Sequence, residues 1–122
     1  IDFVIAVGTA SMGVNGTWRW IKWNSGKAEC YGTRNFGECA ITSAWGTLFE
    51  SDSYSQELPS GLFNDIPHVL MTVGDCGSYG VWLERGVYAP TKDDTGNFYF
   101  VRPTSATMPK SNVSFYCVGK WK

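Results

Sequence analysis

The chain has 122 residues, with 10 basic against 11 acidic side chains and a formal charge of −1, which removes the main electrostatic argument for binding nucleic acid or an anionic membrane. At this length one domain can bury about two-thirds of its unfolded surface, and no stretch of about 18 or more apolar residues is present, so no membrane insertion is expected. Aromatics at 16 %, 14 glycines and 5 prolines point to many short strands and turns.

In chain order, Phe3 to Val7 is an apolar run and a first strand, and Ser11 to Gly16 is a small, polar turn. Thr17 to Gly32 holds two runs of strand formers around Asn24-Ser25-Gly26, which predicts a β-hairpin. Two registers are possible. With Ser25-Gly26 as a two-residue loop, Lys22 faces Glu29 and Trp20 faces Tyr31. With Gly26 as the bulge of a three-residue loop, Lys22 faces Ala28 and Ile21 faces Glu29. The first is preferred, because an ion pair and an aromatic pair directly opposite each other contribute about 0.2–1 kcal/mol each. It puts Ile21, Trp23, Ala28 and Cys30 on the core face and Trp18, Trp20 and Tyr31 outside.

Thr33 to Gly37 reads as a loop. Cys39 to Phe49 reads as one strand or a pair of short ones, bent at Gly46. Glu50 to Ser53 is a polar reversal. Pro67 to Val73 is the clearest buried strand, since Pro67 can open a strand at little cost. Tyr79 to Arg85 and Phe98 to Arg102 alternate as strands, separated by the turn signal Thr91 to Asn97. Pro103 to Ser111 is a long loop. The last run, Asn112 to Trp121, turns Val113, Phe115, Cys117 and Trp121 to one face. About seven to nine strands with no helical window predict an all-β, single-domain antiparallel β-sandwich or barrel over residues 1–122.

Catalytic chemistry finds little support. His68 follows Pro67 and reads as structural. Asp52, Asp75, Asp93 and Asp94 all sit in turn signals, where Asp is favoured for local hydrogen bonds. Asp93, Asp94 and Asn97 do not have the spacing of an EF-hand. Cys30, Cys39, Cys76 and Cys117 lack the close pairing a zinc site wants. No catalytic residue, metal or cofactor is assigned.

The hairpin TWRWIKWNSGKAECYG resembles the W-x-Y-R-K-W-x-S-G-x-A-E-C-W-G signature of C-terminal domains in tail-fibre and baseplate proteins of phages and prophages of Gram-positive bacteria. Lys22, Trp23, Ser25, Gly26, Ala28, Glu29, Cys30 and Gly32 match, Tyr31 replaces the usual Trp, and Ile21 a common Arg. The P-H-V strand at Pro67 and the ending F-Y-C-V-G-K-W-K extend the resemblance over essentially the whole chain. The strand order also looks like H-type lectins and phage fibre knobs, antiparallel sandwiches that trimerise and bind sugars. Their Trp-His sugar site has no counterpart in Pro103 to Ser111.

The resemblance implies a receptor-binding head at the phage tail tip in the virion, forming a homotrimer that attaches to bacterial cell-wall or surface glycan. Because the chain begins at Ile1 and not Met, it is expected to be a piece of a longer polypeptide or a processed one, and the resemblance makes it the C-terminal module of a longer tail protein. Assembly in a reducing cytoplasm favours four free thiols. A purely structural trimerisation or capping module is the alternative, and a glycan hydrolase a remote one. Trp20, Tyr31, Trp82 and Tyr116 fall on strand positions not assigned to the core, and some of these four are expected at the subunit interface. The expected ligand site joins Arg85 and Trp82 to two polar loops, represented by Asp52, Tyr54 and Thr104, with Arg85 donating to sugar hydroxyls and Trp82 as a stacking face.

Overall fold

The computed structural model describes all of residues 1–122. Eleven strands and no helix make up the chain: β1 Val4–Ser11, β2 Thr17–Trp23, β3 Lys27–Asn35, β4 Cys39–Ile41, β5 Ser43–Trp45, β6 Leu48–Glu50, β7 His68–Val73, β8 Trp82–Arg85, β9 Phe98–Arg102, β10 Ala106–Met108 and β11 Asn112–Lys120. All pairings are antiparallel. One five-stranded sheet runs β1-β2-β3-β11-β7, and it is faced by a four-stranded sheet β5-β6-β9-β8 and the short pair β10-β4. The expected β-sandwich class is therefore present, with more and shorter strands than the sequence suggested. Cys39 to Glu50 makes three strands, β3 continues through Thr33 to Asn35, and the Pro103–Ser111 loop contributes β10.

Aromatic side chains join the layers. Phe115 of β11 lies 6.1 Å from Phe98 of β9 and 5.7 Å from Trp18 of β2. Phe36, Tyr54 and Phe100 extend the cluster by edge-on contacts. Such pairs contribute about 0.5–1.5 kcal/mol each beyond their buried area. Trp18, Phe98, Phe100 and Val113 are fully buried.

The hairpin takes the register that the sequence disfavoured: Lys22 pairs with Ala28, Ile21 with Glu29 and Trp20 with Cys30. The turn explains it. The Gly26 N–H donates to the Trp23 carbonyl at 3.1 Å, and Gly26 alone in the loop has a positive φ, +99°. A type I turn followed by a left-handed glycine bulge makes a three-residue loop, whereas a two-residue hairpin loop would need Ser25 at positive φ. The slip turns Trp18 and Trp20 inward and Ile21 and Trp23 outward, while Ala28 and Cys30 stay in the core as expected. Burying Trp18 outweighs the exposed Lys22–Glu29 pair that is given up. Gly8 is required opposite Trp20, because a methyl group there would fall inside the indole ring.

β7 is an edge strand and not the buried strand expected. It pairs only with β11, and His68, Leu70 and Thr72 face outward. The apolar run Val69, Leu70, Met71 concealed an alternation with only Val69, Met71 and Val73 against the core.

All four cysteines are free and buried. Cys30 and Cys117 are direct cross-strand partners. The neighbouring Cys117 thiol, then burial, hold the Cys30 thiol far above the ordinary thiol range, and burial pushes Cys39 and Cys76 up. Thiolates of Cys30, Cys39 and Cys76 are thus scarce at neutral pH, which makes these three thiols poor nucleophiles.

Candidate functional site

A cleft runs between the β1–β2 edge and the segment from Ser55 to Leu62. That segment lacks regular structure but is firmly held. Gln56 and Thr95 exchange hydrogen bonds, Gln56 N to Thr95 Oγ1 at 3.0 Å and Thr95 N to Gln56 O at 2.9 Å. The Trp18 indole Nε1 donates to Glu57 O at 3.0 Å, and Leu58 N to Asp93 O at 2.9 Å. Buried Leu58, Leu62 and Phe63 anchor the segment from below.

The middle of the cleft is a cavity of about 570 Å³ lined by Ser11, Arg34, Gln56, Glu57, Ser60 and Asp94, among others. Gln56 is 2 % exposed and organises it. Its Oε1 accepts from Arg34 Nη1 at 2.7 Å, and its Nε2 donates to the carbonyls of Met12 at 3.0 Å and Glu57 at 2.9 Å. Arg34 Nη1 also donates to Met12 O at 3.2 Å, and the guanidinium carbon lies 4.5 Å from the Phe36 ring centroid. The Arg34 Nε is buried without a partner. A buried donor left unmade costs about 1–3 kcal/mol, so its persistence marks a position held by the surrounding framework.

Two smaller cavities share walls with the first. One, about 250 Å³, is bounded by Trp20, Lys22, Pro59 and Ser60; the other, about 320 Å³, by Glu57, Asp93, Asp94 and Ser60. Ser60 borders all three. The cleft thus passes from an indole and an ammonium, across a guanidinium and a buried amide, to three carboxylates. Hydroxyl-rich ligands need this alternation of donors and acceptors beside an aromatic face. No three His, Cys, Asp or Glu side chains converge as a metal site.

The residues expected from sequence lie elsewhere. None of Arg85, Trp82, Asp52, Tyr54 and Thr104 lines this cleft. Trp82, 39 % exposed, and Arg85 are three residues apart on β8, so alternation turns them to opposite faces. Arg85 lies on the Leu83 side, where its Nη1 donates to Thr95 O at 2.7 Å and desolvation lowers its pKa. Arg85 pairs with Phe98 at one end of β9, whereas Thr104 follows the other end. Tyr54 belongs to the aromatic core: its ring stacks on Phe98, its hydroxyl donates to Cys39 Sγ at 3.5 Å, and burial pushes its pKa up. Asp52 is exposed beside it.

The sequence reading missed Arg34, which it placed in a loop, and Gln56, which carries no local signal. Trp20 and Lys22 were legible as neighbours on one face of TWRWIKW, but the preferred register turned that face outward, away from the cleft. No protein-family model, curated protein or solved structure matches this chain.

Proposed function

We propose that this domain is a saccharide-binding head, of the kind that attaches a phage or prophage tail to a bacterial surface, and that the cleft through Trp20, Arg34, Gln56 and Asp94 holds the sugar. The observation that carries the reading is the cleft's polar framework: a fully buried glutamine orients an arginine beside an indole and three carboxylates. Several fixed donors and acceptors at about 0.5–1.5 kcal/mol each give weak single-site affinity, which repeated heads on one particle raise by avidity. The resemblance of the hairpin and the terminal strand to tail-fibre and baseplate heads supports the same reading.

Ser60 is exposed and borders every part of the cleft, so Ser60→Trp should obstruct it while leaving the core intact. Pull-down on purified Gram-positive cell walls, together with a glycan array, should find binding by the parent. Ser60→Trp should weaken it at least tenfold, whereas Trp82→Ala and Arg85→Ala should retain it. The reverse pattern would place the site at β8. A parent that binds no cell wall and no glycan would favour the structural-module reading.

Trimerisation is the second part of the proposal. The outer face of the five-stranded sheet carries a row Thr9, Arg19, Tyr31, Tyr116, Leu70, and beside it a row Val7, Ile21, Glu29, Val118, His68. Val7, Leu70, Tyr31 and Tyr116 are 67 %, 59 %, 43 % and 38 % exposed. Tyr116 donates its phenol hydrogen to Glu29, which holds its pKa up to about 12. Of the four interface candidates, Tyr31 and Tyr116 share this face, Trp82 lies on the other sheet and Trp20 faces the cleft. Light scattering should give three chains per particle, and Leu70→Lys with Tyr31→Lys should give a folded monomer. A parent that remains monomeric at micromolar concentration would sink this part.

A further inference from the structure

At the hairpin end of the five-stranded sheet, a pocket of about 450 Å³ is lined by Ser25, Gly26, Lys27, His68, Val118, Gly119, Lys120 and Lys122. Lys27 and Lys120 are direct cross-strand partners on β3 and β11. Like charges placed opposite each other in a sheet are destabilising. The lining holds no Asp or Glu side chain to offset them.

The distribution of lysines sharpens the point. The chain has six, at positions 22, 27, 92, 110, 120 and 122. The two far from this pocket have carboxylate partners, Lys110 with Asp75 at 2.5 Å and Lys92 with Asp93 at 4.0 Å. Lys22, Lys27, Lys120 and Lys122 have none. No Asp or Glu oxygen comes within 4.0 Å of these four ammonium groups. Asp2 accepts from Ser25 N at 3.4 Å, Glu29 accepts from Tyr116, and Asp65 caps Ile66 N at 2.8 Å.

Three of these four lysines are also held in place. Trp121 is pinned to the hairpin by its amide to Gly26 O at 2.8 Å and its indole Nε1 to Trp23 O at 2.7 Å, which brings the last residues beside Lys27. The Lys27 ammonium lies 4.6 Å from the Trp23 ring centroid, and the Trp121 ring carries Lys122 at 5.1 Å and Lys22 at 5.4 Å. Stacking on indoles places the ammonium groups without neutralising them.

We propose that this pocket is an oxyanion-binding site, in which Lys27, Lys120 and Lys122, with the Ser25 hydroxyl, take a phosphate or carboxylate group of an anionic ligand. A bound oxyanion removes the Lys27–Lys120 repulsion and supplies charge-assisted acceptors to three ammonium groups. The inference goes beyond the saccharide cleft and holds whatever that cleft takes. Lys22, which borders the cleft, and Lys122, which borders the pocket, meet on the Trp121 ring, so the two sites adjoin.

The test is a titration of isotope-labelled domain with inorganic phosphate, exchanged for chloride at constant ionic strength. The amides of Gly26, Lys27, Gly119 and Lys120 should shift along one saturable curve. Lys27→Gln with Lys120→Gln should weaken phosphate at least tenfold, and Lys92→Gln should leave it unchanged. In chloride alone that double variant should melt no lower than the parent, because a repulsive pair has been removed. Glycerol phosphate and galacturonate, titrated in parallel, distinguish a phosphate ester from a carboxylate as the preferred group. Unsaturated drift in the parent, or equal phosphate binding by the double variant, would overturn the site, and neither outcome depends on cell-wall binding through the cleft.

Discussion

Trp18→Ala should cost the domain about 3–5 kcal/mol, the range for removing a large aromatic from a packed core. Trp18 is fully buried, packs 5.7 Å from Phe115, and is the β2 member of the aromatic cluster between the sheets. Its indole also holds the Ser55–Leu62 segment through Glu57 O. A small domain has about 5–15 kcal/mol in total, so the variant should be partly unfolded at physiological temperature. Urea unfolding should move the midpoint sharply down with little change in slope. Trp18→Phe keeps a ring but loses the hydrogen bond to Glu57, so it should fall between the parent and alanine. A midpoint for Trp18→Ala within experimental error of the parent would contradict the packing described.

Gln56→Leu should have the second largest effect, and it should act on stability and binding together. Leucine fills a similar volume but makes none of the amide's three hydrogen bonds, to Arg34, Met12 and Glu57. Met12 O and Glu57 O keep a second donor each, from Arg34 and Trp18. The Arg34 guanidinium keeps only its longer bond to Met12, and its Nε already lacks a partner. Loss of partners at a buried polar cluster costs about 1–3 kcal/mol. Thermal melting should register that loss, and ligand affinity should fall at least tenfold because Arg34 is no longer oriented. Gln56→Glu gives Arg34 a carboxylate but sets two carbonyls against it, so it should be impaired as well. A Gln56→Leu protein that melts like the parent and binds glycan equally well would remove Gln56 from its organising role.

Local chemistry was enough for much of the fold. Alternation in NVSFYCVGK placed Val113, Phe115 and Cys117 on one face, and all three are buried. The Asn24-Ser25-Gly26 signal located the hairpin. Its register was harder, since both registers use the same glycine and differ in which set of tryptophans is buried. The ion pair and aromatic pair that favoured the wrong one are surface terms of a few tenths to about 1 kcal/mol. Burial of Trp18 is larger, but its value depends on Phe115, nearly a hundred residues away in the chain. β7 shows the same limit, because an apolar run does not reveal whether a strand lies inside a sheet or at its edge.

The sequence by itself determined the all-β class, the hairpin, the inward face of the last strand and the lack of a metal-ligand spacing, because each rests on period, turn chemistry or short spacing. Only the tertiary structure decided the register, the edge position of β7, the cleft and the basic pocket. Arg34, Gln56 and Asp94 come from three unrelated stretches, and Lys27 meets Lys120 only because β3 pairs with β11. Sites assembled across strands depend on pairing energies summed over the whole molecule, and no single stretch of sequence contains that sum.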